Sequence, residues 1–324
     1  MKKIVFTCVV LFLIIYSFFF PEITINAARN GIQTWFHQIL PALLPFTILS
    51  AVLVKSNFLK SFKGNSNFIA IVLTMGCGFV FGFPIGAKLS ADFYKQGLLT
   101  EKQASVLAIA TNNFSPMYVC GFALSLLFAS KEYNIITYIL LYLIPLGILT
   151  IYLLFSIKNH KDDAVSNETN ASHKKPTSAF RLDMQVMDAG IISGFESLIK
   201  ICGYIVFFSI ITEIFINELS STTLATSSPL TLLVCNLEIT NGIHLLSECE
   251  WLQYWKYVAA IQLLSFGGAS GIAQSSSILS EAKLSIPKYI IGKAILSLLL
   301  TLLSVIYVFL FVSINIYNRQ INRF

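Results

Sequence analysis

Three short stretches place polar and chain-breaking residues where the surrounding sequence is apolar. Residues 111–118 read TNNFSPMY and interrupt residues 103–128, which carry no formal charge. Residues 266–271 read FGGASG, and residues 237–242 read LEITNG, whose Glu238 is the one charged residue of 229–247. In hydrocarbon, unpaired backbone groups cost several kcal/mol, so a break at that depth must be paired internally or face water or a ligand. Ser115 suits an N-cap and Pro116 the first position of a new helix, where a missing N–H does no harm. Asn112 and Asn113 supply both donors and acceptors. In the second break, Gly267, Gly268 and Gly271 let backbone approach closely, and Ser270 is placed to cap the half-helix that follows.

Those groups define an expected binding site. Each helix N-terminus carries roughly +0.5 of an elementary charge, which favours a carboxylate, a phosphate or another electron-rich group without any arginine. Backbone N–H groups near Pro84, Ser115 and Ser270 would hold the anionic part of a solute, with Gly86 and Gly268 also at the substrate site. Asn112, Asn113 and Gln274 would read its polar edge. Glu238, with Thr240 and Asn241, would bind a coupling ion or a substrate donor, because an acid at membrane depth is a functional candidate by default. Against this, proline kinks and packing glycines are ordinary in membrane helices. A helix dipole also calls for an anion where Glu238 calls for a cation or a donor. A solute with both characters, or an anion moving with Na⁺ or H⁺, reconciles the two. No other cofactor is expected.

The elements that must position these residues follow from composition. The chain has 324 residues, 56% hydrophobic and 12% charged, with a mean hydropathy of +0.75. Soluble domains carry about 25% charge, so this is an all-α polytopic membrane protein rather than a soluble fold. Its net charge of +6 sits between apolar runs, which indicates membrane orientation and not nucleic-acid binding. Apolar segments divide the chain into an N-terminal transmembrane helix (1–30), a first repeat (31–157), a cytosolic linker (158–185), a second repeat (186–316) and a tail (317–324). Each repeat holds a re-entrant hairpin, about 68–98 and 229–247, and a broken helix, 103–128 and 252–280. The expected count is about seven transmembrane helices plus the two hairpins.

With the N-terminus in the cytoplasm, this topology puts sixteen basic residues inside, among them Lys2, Lys3, Lys55, Lys88, Lys95, Lys102, Lys283, Lys288 and Lys293. Five fall outside, namely Arg29, Lys131, Lys256, Arg319 and Arg323. That is a strong positive-inside bias for a multi-pass protein of the cell membrane. Faint self-similarity aligns Phe36 with Phe195, Cys77 with Cys235 and Ser115 with Ser270, in order and at nearly constant offset. The copies start on opposite faces, as in the inverted repeats of many secondary transporters.

The remaining polar residues are less informative. Cys8, Cys77, Cys120, Cys202, Cys235 and Cys249 form no CxxC pair, and no metal site is expected. Glu196 and Lys200, like Lys88 and Asp92, are spaced to pair along one helix face. His37 and His244 read as packing residues. The chain contains neither HExxH nor GxSxG, and an intramembrane enzyme is not expected. The sequence points to a secondary transporter of a small polar or anionic solute. A non-transporting membrane scaffold is the competing class, and a homo-oligomer or a membrane partner is compatible with either.

GFPIGAKLSADFYKQG (82–97), TNNFSP (111–116), LEITNG (237–242) and FGGASGIAQ (266–274) together resemble the sporulation integral membrane protein YlbJ family. That family lies within a wider group carrying the nucleoside-recognition or gate domain. Thr111 and Phe114-Ser115 depart from the family's usual CNNSGP. The resemblance implies a fold similar to concentrative nucleoside transporters. It also implies dipicolinate transport during sporulation, a cation-coupled nucleoside-type carrier, or a scaffold role in sporulation.

Overall fold

The computed structural model describes residues 2–62, 65–128, 132–163, 180–220 and 229–321. Among these residues every regular element is helical and none is a strand. Helix α1 (Lys2–Phe19) stops at Phe20, and Pro21 at the first position of α2 (Pro21–Thr34) restarts the chain. A π-turn at Trp35–Ile39 carries α2 into α3 (Leu40–Lys55) without a gap. The helix boundary thus lies at Phe20 and not near residue 30. Pro41 and Pro45 remove two N–H donors from this stretch, and a local wider turn is the usual accommodation of such a loss.

The first hairpin comprises α4 (Ser66–Phe81) and α5 (Ile85–Lys95). The first interrupted helix runs through α6 (Glu101–Thr111), a non-helical link and then α7 (Pro116–Tyr118), a π-turn and α8 (Leu124–Leu127). Helix α9 (Glu132–Tyr138) continues through a π-turn into α10 (Ile144–Asp163). The expected linker falls largely on 164–179, outside the described residues.

Helix α11 (Met184–Ser220) is the longest element. Helices α12 (Pro229–Cys235) and α13 (Ile239–Glu248) make the second hairpin. The second interrupted helix consists of α14 (Gln253–Phe266) and α15 (Gly268–Glu281), and α16 (Ile286–Ile321) closes the chain.

Among the described residues four helices, Pro21–Lys55, Tyr133–Phe155, Met184–Glu218 and Ile286–Leu310, are long and apolar enough to cross a bilayer by length and composition. The expected seven also included 4–20, where the apolar helix Thr7–Phe19 is shorter, and the two broken helices, which are divided at 112–115 and at Gly267. Helix α11 packs on α2 and α3 through small residues. Gly31 faces Val206 and Ser209, while Gly190 and Gly194 face Val52 and Ile48. With lipid as solvent, such close backbone approach supplies the dispersion contact that holds helices together. Trp35 adds an indole N–H donated to Leu198 O at 2.9 Å.

Candidate functional site

Each hairpin tip is hydrogen-bonded through backbone to an interrupted helix. At the first, Gly82 has φ +73°, and a Cβ there would run into Ser115 N, so only glycine fits. The next residue, Phe83, donates its N–H to Asn113 O at 2.6 Å. At the second, Ala269 and Ser270 donate their N–H groups to Asn236 O and Leu237 O at 2.6 and 3.0 Å. Gly267, at φ +91°, makes the left-handed turn that ends α14. Backbone groups freed by the breaks are therefore paired with those freed by the hairpin turns. This is how irregular backbone survives away from water.

Ser115 caps α7, its Oγ accepting from Tyr118 N–H at 3.3 Å, with Pro116 at the first helical position. Glu238 caps α13, its Oε2 accepting from Asn241 N–H at 2.9 Å. Tyr118 Oη and Thr240 Oγ1, 3.2 Å apart, join the first interrupted helix to the second hairpin. Ser270 differs from expectation: Gly267 precedes α15 and Ser270 lies within its first turn, accepting from Gln274 Nε2 at 3.0 Å. Its N–H, like that of Phe83, is engaged by backbone and not offered to an anion. Pro84 stands just before α5 and not within it.

A cavity of about 90 Å³ lies where these parts converge. Ser115, Glu238, Thr240, Ser270 and Gln274 line it, as do Phe83, Phe114 and Tyr118. Three residues that directly precede helices, Ser115, Glu238 and Gly267, therefore line the cavity together, with Phe83 of the first hairpin tip beside them. Glu238 is 5% exposed, and among the described residues no lysine, arginine or histidine lines the cavity. Gln274 Oε1 is buried without a hydrogen-bond partner among the described residues. Phe83, Phe114 and Tyr118 form a row with ring centroids 5.9 and 4.8 Å apart, the second pair stacked.

Six expected site residues stand behind this wall. Gly86 packs on Thr111, where a Cβ would lie 2.6 Å from Oγ1. Gly268 packs against Ile239 and Asn236 O. Pro84 is in the tip backbone. Asn112 Nδ2 donates to Ser275 Oγ and Tyr289 Oη, both at 2.8 Å. Asn113 Nδ2 donates to Ala110 O and Leu141 O. Asn241 Nδ2 donates to Ser209 Oγ at 3.2 Å and its residue lines a separate cleft.

Two clefts flank the central cavity. One shares Ile201 and Gln274 with it and is lined by Lys88, Asp92, Lys95, Lys200 and Glu281. Lys88 Nζ donates to Ser197 Oγ at 2.8 Å. Lys200 pairs with Glu281 at 2.7 Å and not with Glu196 as its spacing predicted. The other cleft shares Gln38 with the cavity and carries His37, Glu213, His244 and Glu248. Residues Ser197, Ile201, Ile205, Ser209 and Glu213 recur every four positions on α11. They contribute in turn to the basic cleft, the cavity and the acidic cleft.

Lys293 is the largest departure. The sequence places it among the cytoplasmic basic residues; in the structure it is 1% exposed and donates to Asn112 O at 3.0 Å and Asn113 Oδ1 at 2.9 Å. The signal for it is Tyr289, Lys293, Ser297 and Thr301, a polar residue at every fourth position along the apolar part of α16.

The fold and site define an all-α integral membrane protein in which two hairpins and two interrupted helices, with α3 and α11, line a mostly apolar cavity that carries a few polar side chains. The chain is 23% identical to the sporulation integral membrane protein YlbJ of Bacillus subtilis (strain 168), over 323 aligned residues covering 84% of this chain and 74% of that protein. It is thus a membrane protein related to YlbJ, the kinship its four motifs imply. The alignment says nothing of nucleoside recognition. No family model matches the chain, and no solved structure does.

Proposed function

We propose that the chain is a secondary transporter of a small polar or anionic solute, not an enzyme, acting by alternating access in the cell membrane with its N-terminus in the cytoplasm. The observation that carries this reading is the convergence of Glu238, Thr240, Ser115, Ser270 and Gln274 on one cavity between both interrupted helices. Buried polar groups normally find partners. An unpartnered Gln274 Oε1 in a cavity wall is a group awaiting a donor from a ligand. The row of Phe83, Phe114 and Tyr118 favours a solute with a flat face. The two flanking clefts support a path along α11, with Ile201 and Gln274 as the barrier on one side and Gln38 on the other.

Within this class, dipicolinate combines a flat ring with two carboxylates, and the lysines of the basic cleft would attract it. Uncoupled, it would meet Glu238 as a like charge, so H⁺ or Na⁺ would move with it. A nucleoside-type solute is the second reading. It is favoured by a cavity whose described lining holds an acid and no basic residue, since Glu238 can accept from a hydroxyl. The repeats, inverted as the sequence implies, would supply the two-way access.

A thermal-shift screen of purified protein separates these readings. Pyridine dicarboxylates and nucleosides are compared, each with and without Na⁺. A shift with either set of about 5 °C or more supports a solute carrier of that class. No shift with any compound, together with copurification of a membrane protein, supports the scaffold instead.

A further inference from the structure

We propose that the ammonium of Lys293 occupies a cation-binding position at the first helix break, so that the chain carries as a side chain a cation that such a site would otherwise take from solution. The inference deepens the transporter reading by assigning the ionic partner of one break.

Three observations carry it. The first is the ligand set: Nζ is 3.0 Å from Asn112 O and 2.9 Å from Asn113 Oδ1. Both oxygens stand just past Thr111, at the C-terminal end of α6, where the helix dipole is negative. Unwound carbonyls and half-helix C-termini are the places where broken membrane helices coordinate small cations. The second is that the oxygens are oriented for a cation. Asn113 Nδ2 is held by Ala110 O at 2.9 Å and Leu141 O at 3.2 Å, which leaves Oδ1 toward Lys293. Asn112 is fixed in turn by Ser275 and Tyr289. The third is burial without an acid. Lys293 is 1% exposed, and no salt bridge to it occurs among the described residues. A buried charge is otherwise paired with an opposite charge or strongly disfavoured. Neutral oxygens arranged around an ammonium are what a cation site looks like from its contents.

The second break has no such group. Near it the hydroxyls of Ser265 and Ser297 are hydrogen-bonded to each other at 2.8 Å, with Gln262 O within reach of both at 3.1 and 3.2 Å. Any dependence of transport on Na⁺ or H⁺ would then act through Glu238, and the first break would contribute none of it.

The test is thermal melting of the purified chain in NaCl against choline chloride at equal ionic strength. Wild type, Lys293→Ala, Lys293→Met and Lys293→Arg are compared. Truncation to Ala empties the position, so Na⁺ should raise that variant's melting temperature by about 5 °C or more beyond its effect on wild type. Met fills the space without charge, and that variant should gain nothing extra; Arg should melt nearest to wild type. Asn113→Asp/Lys293→Ala, with a fixed carboxylate at the emptied position, should show a larger Na⁺ response than Lys293→Ala. Equal Na⁺ responses across the set would overturn the proposal. So would failure of both alanine-bearing variants to accumulate as folded protein in Na⁺. No transport is measured, so this result and the carrier reading can fail separately.

Discussion

Gln274 donates one amide hydrogen to Ser270 Oγ at 3.0 Å, while its Oε1 meets no donor among the described residues. A group left in that state costs stability of about 1–3 kcal/mol and is retained when something else uses it. Gln274→Leu is accordingly expected to melt within a few degrees of wild type, or above it, yet to lose the stabilisation given by a bound solute. The thermal-shift assay measures both. Loss of stability with ligand response intact would assign Gln274 to packing. Tyr118→Phe removes the hydroxyl that meets Thr240 at 3.2 Å and should cost about 1 kcal/mol. At this scale the sequence made Glu238 conspicuous, because an acid among apolar residues can be noticed without a fold. It does not show the partners of Asn112 and Asn113. Their amides fit a solute equally well on paper, but the chain uses them to hold Ser275, Tyr289 and Lys293. No residue-type argument distinguishes those partners before the helices are placed.

The interrupted helices were legible as elements because proline, serine, asparagine and glycine mark a break wherever they cluster. Ser115 and Pro116 begin α7 as their types dictate. What the sequence does not contain is the pairing of each break with its own hairpin, Phe83 to Asn113 and Ala269 to Asn236, since a backbone bond leaves no residue-type signature. Gly82 is the position most exposed to that pairing. Gly82→Ala adds a Cβ that meets Ser115 backbone at a positive φ, and a destabilisation of about 3 kcal/mol or more is expected. Ser115→Ala loses only a cap, about 1 kcal/mol. Melting temperatures of the two variants should therefore differ clearly, with Gly82→Ala the lower. The reverse order would mean that the hairpin tip yields more easily than its geometry allows.

Across the whole molecule, the stripe from Ser197 to Glu213 on α11 links a basic cleft, the central cavity and an acidic cleft. Positions 197 and 213 stand about 24 Å apart along the helix, close to the thickness of a bilayer core. If these clefts face opposite sides, Ser197→Cys should react with a membrane-impermeant thiol reagent from the cytoplasmic side and Glu213→Cys from the other. Solute should change the two rates in opposite directions. Both residues reacting from one side would contradict the path.

The most direct measurement is solute flux into proteoliposomes, using the compound class that stabilises the purified protein. Wild type is expected to accumulate the solute. Glu238→Gln, reconstituted to the same level, should lose uptake or change its dependence on Na⁺ or pH, because Glu238 is the one carboxylate in the cavity wall among the described residues. Equal uptake and equal ion dependence in the two proteins would contradict the account.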